Sequence, residues 1–121
     1  MITGNNKLRQ IVARIEEDIL MNIRSYIQGA VYCWCKNVKD NDGNNKWFAA
    51  RDLFGGDNNI WEGTPLITIY QWHLENGTND PVNMAGKDVG ELLKQVLETD
   101  RRIFDTREGY TREYVWTGRE S

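Results

Sequence analysis

The feature that most constrains the fold is a strongly amphipathic stretch that leads directly into two β-rich runs. Between Met84 and about Thr99, apolar residues recur every three or four positions while charged residues lie on the other side, which predicts a helix. Directly after it come the runs RRIFDT and YTREYVWT, on either side of a tight turn at Arg107, Glu108 and Gly109. Two such runs around a glycine turn predict a hairpin.

The register of this hairpin depends on the length of its loop. Side chains alternate between the two faces of a strand, so a change of one residue in the loop exchanges the faces that pair. If the loop has three residues and Gly109 is left-handed, one face carries Phe104, Tyr110, Arg112, Tyr114 and Trp116. A four-residue loop reverses this arrangement, and the sequence leaves both registers open.

The N-terminal part of the chain carries a second amphipathic pattern. From Leu8 to about Lys36, apolar residues recur at steps of three and four, which predicts one long helix or two helices joined near Gly29. At about 1.5 Å per residue a single helix would run to roughly 40 Å, longer than a domain of this size needs for its own core. We therefore expect a homodimer in which residues 8–36 provide the contact between the two copies.

Between these two patterns the sequence predicts loops and short elements. Residues 39–46 form a polar loop, in which the glycine is misplaced for a calcium-binding loop. The segment WFAARDLF indicates a very short strand that runs into a short helix ended by Gly55 and Gly56. Thr64 and Pro65 then give a helix start signal, a hydroxyl N-cap with proline in the first helical position.

The helix that begins there, TPLITIYQWHLEN, is expected to stop at Gly77. Its predicted buried residues are Leu66, Ile67, Tyr70, His73 and Leu74. The connector GTNDPVN follows, and it holds two further cap candidates, Asp80 before Pro81 and Asn83.

The net charge of the 121 residues is −3, and it is unevenly distributed. Residues 1–50 carry seven Lys and Arg against five Asp and Glu, whereas residues 51–121 carry eight against thirteen. Nonspecific coating of nucleic acid needs a basic surplus, so only a local patch could bind DNA here. No apolar run is long enough to span a bilayer, and the N-terminus lacks the layout of a signal peptide. We expect a cytoplasmic protein with no membrane partner.

Few residues of this chain are suited to metal or catalytic chemistry. Cys33 and Cys35 are separated by one residue, and a pair with no second Cys or His cluster cannot complete a tetrahedral zinc site. His73 is the only histidine, and we interpret it as a partly buried helix residue rather than a ligand or base. The sequence holds no motif of a hydrolase nucleophile, a metalloprotease or a phosphate loop. We therefore expect no metal, no cofactor and no enzymatic activity.

Two helical segments, LITIYQWHLENG and AGKDVGELLKQVLETD, are followed at once by RRIFDTREGYTREYVW. In this order and hydrophobic pattern, residues 46–117 resemble a winged helix-turn-helix domain. The resemblance implies an α+β, mostly helical fold, in which the helix before the hairpin is the recognition helix and the hairpin is the wing. Residues 1–38 would then be a long N-terminal helix, and residues 46–121 the winged-helix core of a single domain. The connector between Gly77 and Met84 is longer than the short turn usual in that family.

The resemblance implies that the protein binds double-stranded DNA and acts by occupying a site, as a transcription regulator or a phage or plasmid accessory factor. A recognition helix reads bases through exposed side chains of its first turns, where Asn suits adenine and Lys or Arg suits guanine. The wing would contact phosphates, with Arg101, Arg102 and Arg119 near its base. The candidate DNA-binding residues are Asn83, Lys87, Glu91 and Lys94 on the helix, and Arg107, Tyr110 and Arg112 on the hairpin.

A second interpretation keeps the same fold but gives it a protein partner. Acidic residues alternate with the hairpin arginines and would pair with them across a solvated ribbon. These residues are Asp105, Glu108, Glu113 and Glu120. Asp88 and Glu91 on the recognition helix also favour this interpretation, because they would face the phosphates. The protein would then be an adaptor or inhibitor without DNA binding, anchored by some of its five Trp and five Tyr residues.

Overall fold

The computed structural model describes residues 3–55 and 61–121, with side chains from Leu8 onward. Within these ranges the chain is α+β and mostly helical, and it ends in an antiparallel two-stranded hairpin, which confirms the expected class. None of the helices in these ranges is long and apolar enough to cross a membrane. The elements are α1 Thr3–Arg14, α2 Glu17–Asn37, α3 Ala50–Phe54, α4 Ile67–Glu75, α5 Pro81–Thr99, β1 Arg102–Glu108 and β2 Arg112–Glu120.

The short helix after the polar loop ends as predicted. Gly55 follows Phe54, the last residue of α3, with a φ of +86° that favours glycine. The N–H of Ala49 donates a 2.7 Å hydrogen bond to the carboxylate of Asp52, which satisfies a free donor at the start of α3. Gly56, the second glycine of the predicted stop, lies outside the described residues.

The predicted N-terminal helix is two helices, and the break lies at Ile15 and Glu16 rather than near Gly29. The backbone of Glu16 is extended, with φ −57° and ψ 142°, so the chain changes direction between α1 and α2. Glu17 and Asp18 occupy the first turn of α2, where acidic side chains favour a helix start through the helix dipole. The prediction of a joint at Gly29 is wrong, because Gly29 lies inside α2.

The apolar stripe of α1 and α2 is buried in the core of the same chain, where both helices pack on α5. Its buried residues are Ile11, Ile15, Leu20, Ile23, Ile27, Val31 and Cys35. The single overlong helix that motivated the homodimer is therefore absent from the described chain. The outer faces of the two helices leave Val12, Met21 and Tyr26 exposed.

The central helix, α5, has the buried face that the sequence predicts. Its buried residues are Ala85, Val89, Leu92, Leu93, Val96 and Leu97. The helix begins at Pro81 instead of Met84, because Asp80 caps it and proline is favoured in the first turn. The Oδ1 atom of Asp80 accepts a 3.5 Å hydrogen bond from the backbone N–H of Asn83. The connector between α4 and α5 is thus reduced to residues 76–80.

The preceding helix, α4, starts later than predicted and buries a different face. The Oγ1 atom of Thr64 accepts a 3.2 Å hydrogen bond from the N–H of Leu66, so Thr64 and Pro65 form a turn ahead of the helix. The buried residues of this segment are Leu66, Ile69 and His73, and the half-buried ones include Ile67 and Tyr70. Leu74 lies one position beyond the buried face and is exposed, contrary to the prediction.

The predicted hairpin is present, but its turn lies later in the chain. The last pair joins Glu108 to Arg112, so the loop consists of the three residues 109–111 rather than 107–109. Gly109 lies outside the left-handed region. Arg107 is consequently part of β1 and not of the turn.

One residue ahead of α3 pairs with the hairpin in an isolated β-bridge. Phe48 and Tyr114 exchange two backbone hydrogen bonds of 2.8 Å, which places Phe48 beside β2 on the edge that β1 leaves open. The register pairs Phe104 with Trp116, so Tyr114 shares a face with both rings, as one of the two predicted registers requires. Phe48 also packs against Phe104 and Tyr114, with ring centroids 6.2 and 6.0 Å apart.

Candidate nucleic-acid interface

A surface groove of about 1200 Å³ follows the outer side of α5. It is lined by α5 along much of its length, and also by the end of α1, by α3 and by the tip of the hairpin. We call it the α5 groove. Six of the seven residues predicted to bind DNA line it: Asn83, Lys87, Glu91, Lys94, Tyr110 and Arg112. The structure thus brings the predicted helix and hairpin residues to one surface, with the exception of Arg107.

The α5 groove carries more basic than acidic side chains. The basic ones are Arg14, Arg51, Lys87, Lys94 and Arg112, and the acidic ones are Asp80, Asp88 and Glu91. Lys87 and Lys94 are exposed, and neither has an ion-pair partner within 4.0 Å among the side chains that the structure describes. The lining of the α5 groove therefore has a local basic surplus of two residues in a chain of net charge −3.

The carboxylate of Asp88, at the side of the groove, has two close polar neighbours. The Nε2 atom of His73 lies 2.7 Å from its Oδ2 atom, and the guanidinium of Arg14 lies 3.4 Å from the same oxygen. Arg14 also lies over the ring of Trp72, at 4.6 Å from the centroid. These contacts connect α1, α4 and α5. Because the guanidinium of Arg14 lies beside it, Asp88 opposes an incoming phosphate less than the sequence suggests.

His73 is fully buried, with 2% of its surface exposed, rather than partly buried as predicted. Its Nδ1 atom lies 3.0 Å from the hydroxyl oxygen of Thr78, so the ring joins a hydroxyl to the carboxylate of Asp88. Neither His73 nor Thr78 lines the α5 groove. The contacts of His73 with Thr78 and Asp88 hold the connector and α5 against α4. No sequence signal identifies the contact between His73 and Asp88, because the two residues lie on different helices, 15 positions apart.

Arg107 lies outside the α5 groove, on the other face of the ribbon from Arg112. Its guanidinium is 4.1 Å from the centroid of the Trp47 ring, and its Nε atom donates a 2.6 Å hydrogen bond to Glu113. The prediction that Arg107 lies in the turn of the hairpin is wrong, because it belongs to β1. The turn lies later than expected, and alternation along β1 then turns this side chain away from α5.

Arg112 does line the groove, but it is paired with an acidic residue. Its guanidinium lies 2.8 Å from a carboxylate oxygen of Glu108, in an exposed pair. The hairpin therefore contains two of the ion pairs that the second interpretation predicts, the other joining Arg107 to Glu113. An exposed pair of this kind is worth less than about 1 kcal/mol, so an anion can compete for the arginine.

The tip of the hairpin presents an aromatic ring. Tyr110 is the middle residue of the loop and is 92% exposed, the largest fraction among the exposed large hydrophobic residues that the structure describes. The guanidinium of Arg51, from α3, lies 5.4 Å from the centroid of this ring. The two residues come from separate elements and both line the α5 groove.

The base of the hairpin is fixed by a cluster that the sequence did not predict. Arg102 donates hydrogen bonds to both carboxylate oxygens of Asp100, at 3.1 and 2.9 Å. Its guanidinium lies 4.9 Å from the ring centroid of Tyr32 and 5.6 Å from that of Trp116. The side-chain amide of Gln28 donates a further 2.8 Å hydrogen bond to Asp100. Arg102 therefore joins the hairpin to α2, instead of serving as the phosphate contact that its position suggested.

Two buried groups have raised pKa values. Burial raises the pKa of the Tyr114 phenol by more than the neighbouring Arg112 lowers it, so the phenol at the side of the groove is neutral at pH 7. Burial likewise raises the pKa of the Cys35 thiol, whereas Cys33 is exposed. In the described ranges no cluster of His, Cys, Asp and Glu is placed to hold a metal ion.

Comparison with protein-family models, with curated proteins and with solved structures finds no match for this chain. The function therefore has to be inferred from the α5 groove itself. Its main features are the polar outer side of α5, the basic surplus and the exposed ring at the hairpin tip.

Proposed function

We propose that this protein is a winged-helix protein that binds double-stranded DNA, with α5 in the major groove and the hairpin beside the sugar-phosphate backbone. It would act by occupying a site, as a transcription regulator or as a phage or plasmid accessory factor. The observation that carries this proposal is that the α5 groove joins exposed helix residues to the hairpin tip. Asn83, Lys87 and Lys94 are of the residue types that read base edges or contact phosphates.

The order of the elements supports the winged-helix assignment. α4, a short connector and α5 form two consecutive helices, and the hairpin follows α5 directly. The connector, residues 76–80, is closer to the short turn of that family than the sequence indicated. Phe48 lies between α2 and α4 and pairs with β2 through a single isolated bridge beside the hairpin.

The spacing of the two exposed lysines of α5 suits a duplex. Lys87 and Lys94 are two helical turns apart, which corresponds to roughly 10 Å along α5. This distance is comparable with the width of the major groove, about 12 Å. Two ammonium groups at that separation can approach phosphates on either side of the groove while Asn83 in the first turn faces base edges.

The proposal is tested by measuring affinity for a pool of duplexes of random sequence at low salt. Replacing Lys87 and Lys94 by glutamine together should weaken binding by roughly tenfold or more, because two phosphate contacts are lost. The matched control replaces Arg101 and Arg119 by glutamine. The sequence suggested these two residues as phosphate contacts, but they are exposed at the other end of the hairpin and outside the α5 groove, so the control removes the same charge elsewhere.

Two results would count against duplex binding through this groove. The first is that the wild-type protein binds no duplex of the pool at low salt. The second is that the control variant loses as much affinity as the Lys87→Gln, Lys94→Gln variant, since net charge alone would then explain the loss.

The second candidate function is an adaptor or inhibitor that binds a protein. It is favoured by the ion pairs of Arg107 and Arg112, which reduce the charge that the hairpin offers to phosphates. Binding of any duplex through Lys87 and Lys94 would exclude it as the sole function. The homodimer through residues 8–36 stays a prediction, and with the apolar stripe buried it would have to use the outer faces of α1 and α2. A mass of 14.1 kDa by light scattering at high concentration would contradict it.

A further inference from the structure

The exposed ring of Tyr110 has properties that the turn itself does not require. A hairpin loop favours glycine, asparagine, aspartate or serine, because these residues tolerate the turn backbone or cap it. Tyr110 instead places an aromatic ring in the middle of the loop, where it is 92% exposed and adds almost nothing to the packed core. A single exposed apolar residue is common on protein surfaces, so Tyr110 marks a site only together with its neighbours in the α5 groove.

The ring is also oriented by a neighbour from another element. Arg51 of α3 places its guanidinium 5.4 Å from the ring centroid, within the range of a cation–π contact. Because so little of Tyr110 is covered, the ring retains an open face for a second planar group. The pair therefore presents an aromatic surface, backed by a positive charge, at the side of the α5 groove.

The ligand that matches such a surface is a planar aromatic group attached to negative charge. Nucleobases stack on aromatic side chains without much dependence on their identity, and a nearby arginine strengthens the contact. Inside an intact duplex both faces of every base are covered by neighbouring base pairs. Apart from the outer faces of the two terminal pairs, a ring at the hairpin tip can therefore stack only on an unpaired base in a gap or an overhang.

We infer that Tyr110, backed by Arg51, is a stacking site for an unpaired nucleobase next to the duplex held in the α5 groove. The inference rests on the proposed function, because Lys87 and Lys94 hold the phosphates of the adjoining duplex. The preferred ligand is then a junction between double-stranded and single-stranded nucleic acid rather than an uninterrupted duplex.

The test compares two DNA ligands with the same paired sequence, one blunt and one with a short single-stranded overhang. The first unpaired nucleotide of the overhang carries 2-aminopurine, whose fluorescence falls when it stacks. Wild-type protein should bind the overhang ligand about tenfold more tightly than the blunt one and quench its fluorescence. Tyr110→Phe should keep both effects. Tyr110→Leu should abolish both, so that this variant binds the two ligands with equal affinity.

The possible failures are distinguishable. Equal affinity of wild-type protein for both ligands, without quenching, would overturn the stacking site and leave duplex binding intact. Binding of the overhang ligand alone, with loss in Tyr110→Leu, would support the stacking site and overturn the major-groove function. Binding of neither ligand at low salt would overturn both. The thermal midpoint of Tyr110→Leu should match that of the wild type, because the replaced ring is exposed.

Discussion

The cluster at the base of the hairpin gives the sharpest stability prediction, which concerns Arg102→Gln. The side chain of Asp100 is 4% exposed and that of Arg102 is 14% exposed, so the ion pair is largely removed from water. The substitution removes the positive charge while the carboxylate stays buried. Two donors remain for it, the amide of Gln28 at 2.8 Å and the backbone N–H of residue 102 at 2.9 Å.

The size of the effect follows from these contacts. Removing one partner of a buried ion pair costs about 3–5 kcal/mol, because the other charge is left without compensation. The two remaining hydrogen bonds still stabilise the carboxylate, so Arg102→Gln should lower the free energy of unfolding by about 3 kcal/mol, the lower end of this range. This figure includes the lost contacts with the two aromatic rings. For a domain of this length the corresponding fall in Tm is about 10 °C.

Urea and thermal unfolding followed by circular dichroism measure the change, and Arg112→Gln is the matched control. Arg112 also belongs to the hairpin and pairs with an acid, but the side chains of Arg112 and Glu108 are 49% and 72% exposed. Its loss should cost less than about 1 kcal/mol. Equal effects of the two substitutions would refute the assignment of Arg102 as the residue that anchors the hairpin, as would an Arg102→Gln protein as stable as wild type.

Three further predictions concern buried polar groups. His73→Leu leaves the partly buried carboxylate of Asp88 without its imidazole partner and should cost about 2 kcal/mol in urea unfolding; an unchanged midpoint would contradict the role of the network. The raised pKa of Tyr114 stabilises the fold below its unfolded-state pKa, and this stability is lost as pH rises through the folded-state pKa. Unfolding free energy should therefore fall less steeply above pH 10 in Tyr114→Phe, and identical pH profiles would refute this. A thiol reagent should modify the exposed Cys33 quickly, and Cys35 only after unfolding; equal rates in the native protein would contradict the burial of Cys35.

The parts of the fold that the sequence predicts are those with a strong local pattern. The buried face of α5 is correct, because its apolar residues repeat without interruption. The break at Ile15 and Glu16 escapes prediction for the same reason: spacing by three and four continues across it, so periodicity alone does not register a change of direction. The sequence alone did not locate the start of α5 at Pro81, because Asn83, within the first turn, was a second candidate for the N-cap.

The positions of the candidate site residues could be predicted where helical spacing fixes them, but not where long-range contacts decide them. Lys87 and Lys94 lie as expected because one helix fixes both. Arg107 does not, since the position of a hairpin turn decides which face a strand residue occupies. The partners of Asp88 and Arg102 come from elements distant in sequence, and no local pattern indicates that they meet.

The central claim is tested most directly by the salt dependence of duplex binding. A protein that contacts phosphates through Lys87 and Lys94 loses affinity linearly in a plot of log K against log salt, with a slope of about −0.9 for each contact. The slope of Lys87→Gln, Lys94→Gln should be shallower than that of wild type by about 2, and the slope of Arg101→Gln, Arg119→Gln should equal that of wild type. Parallel lines for wild type and the lysine variant would contradict DNA binding through the α5 groove.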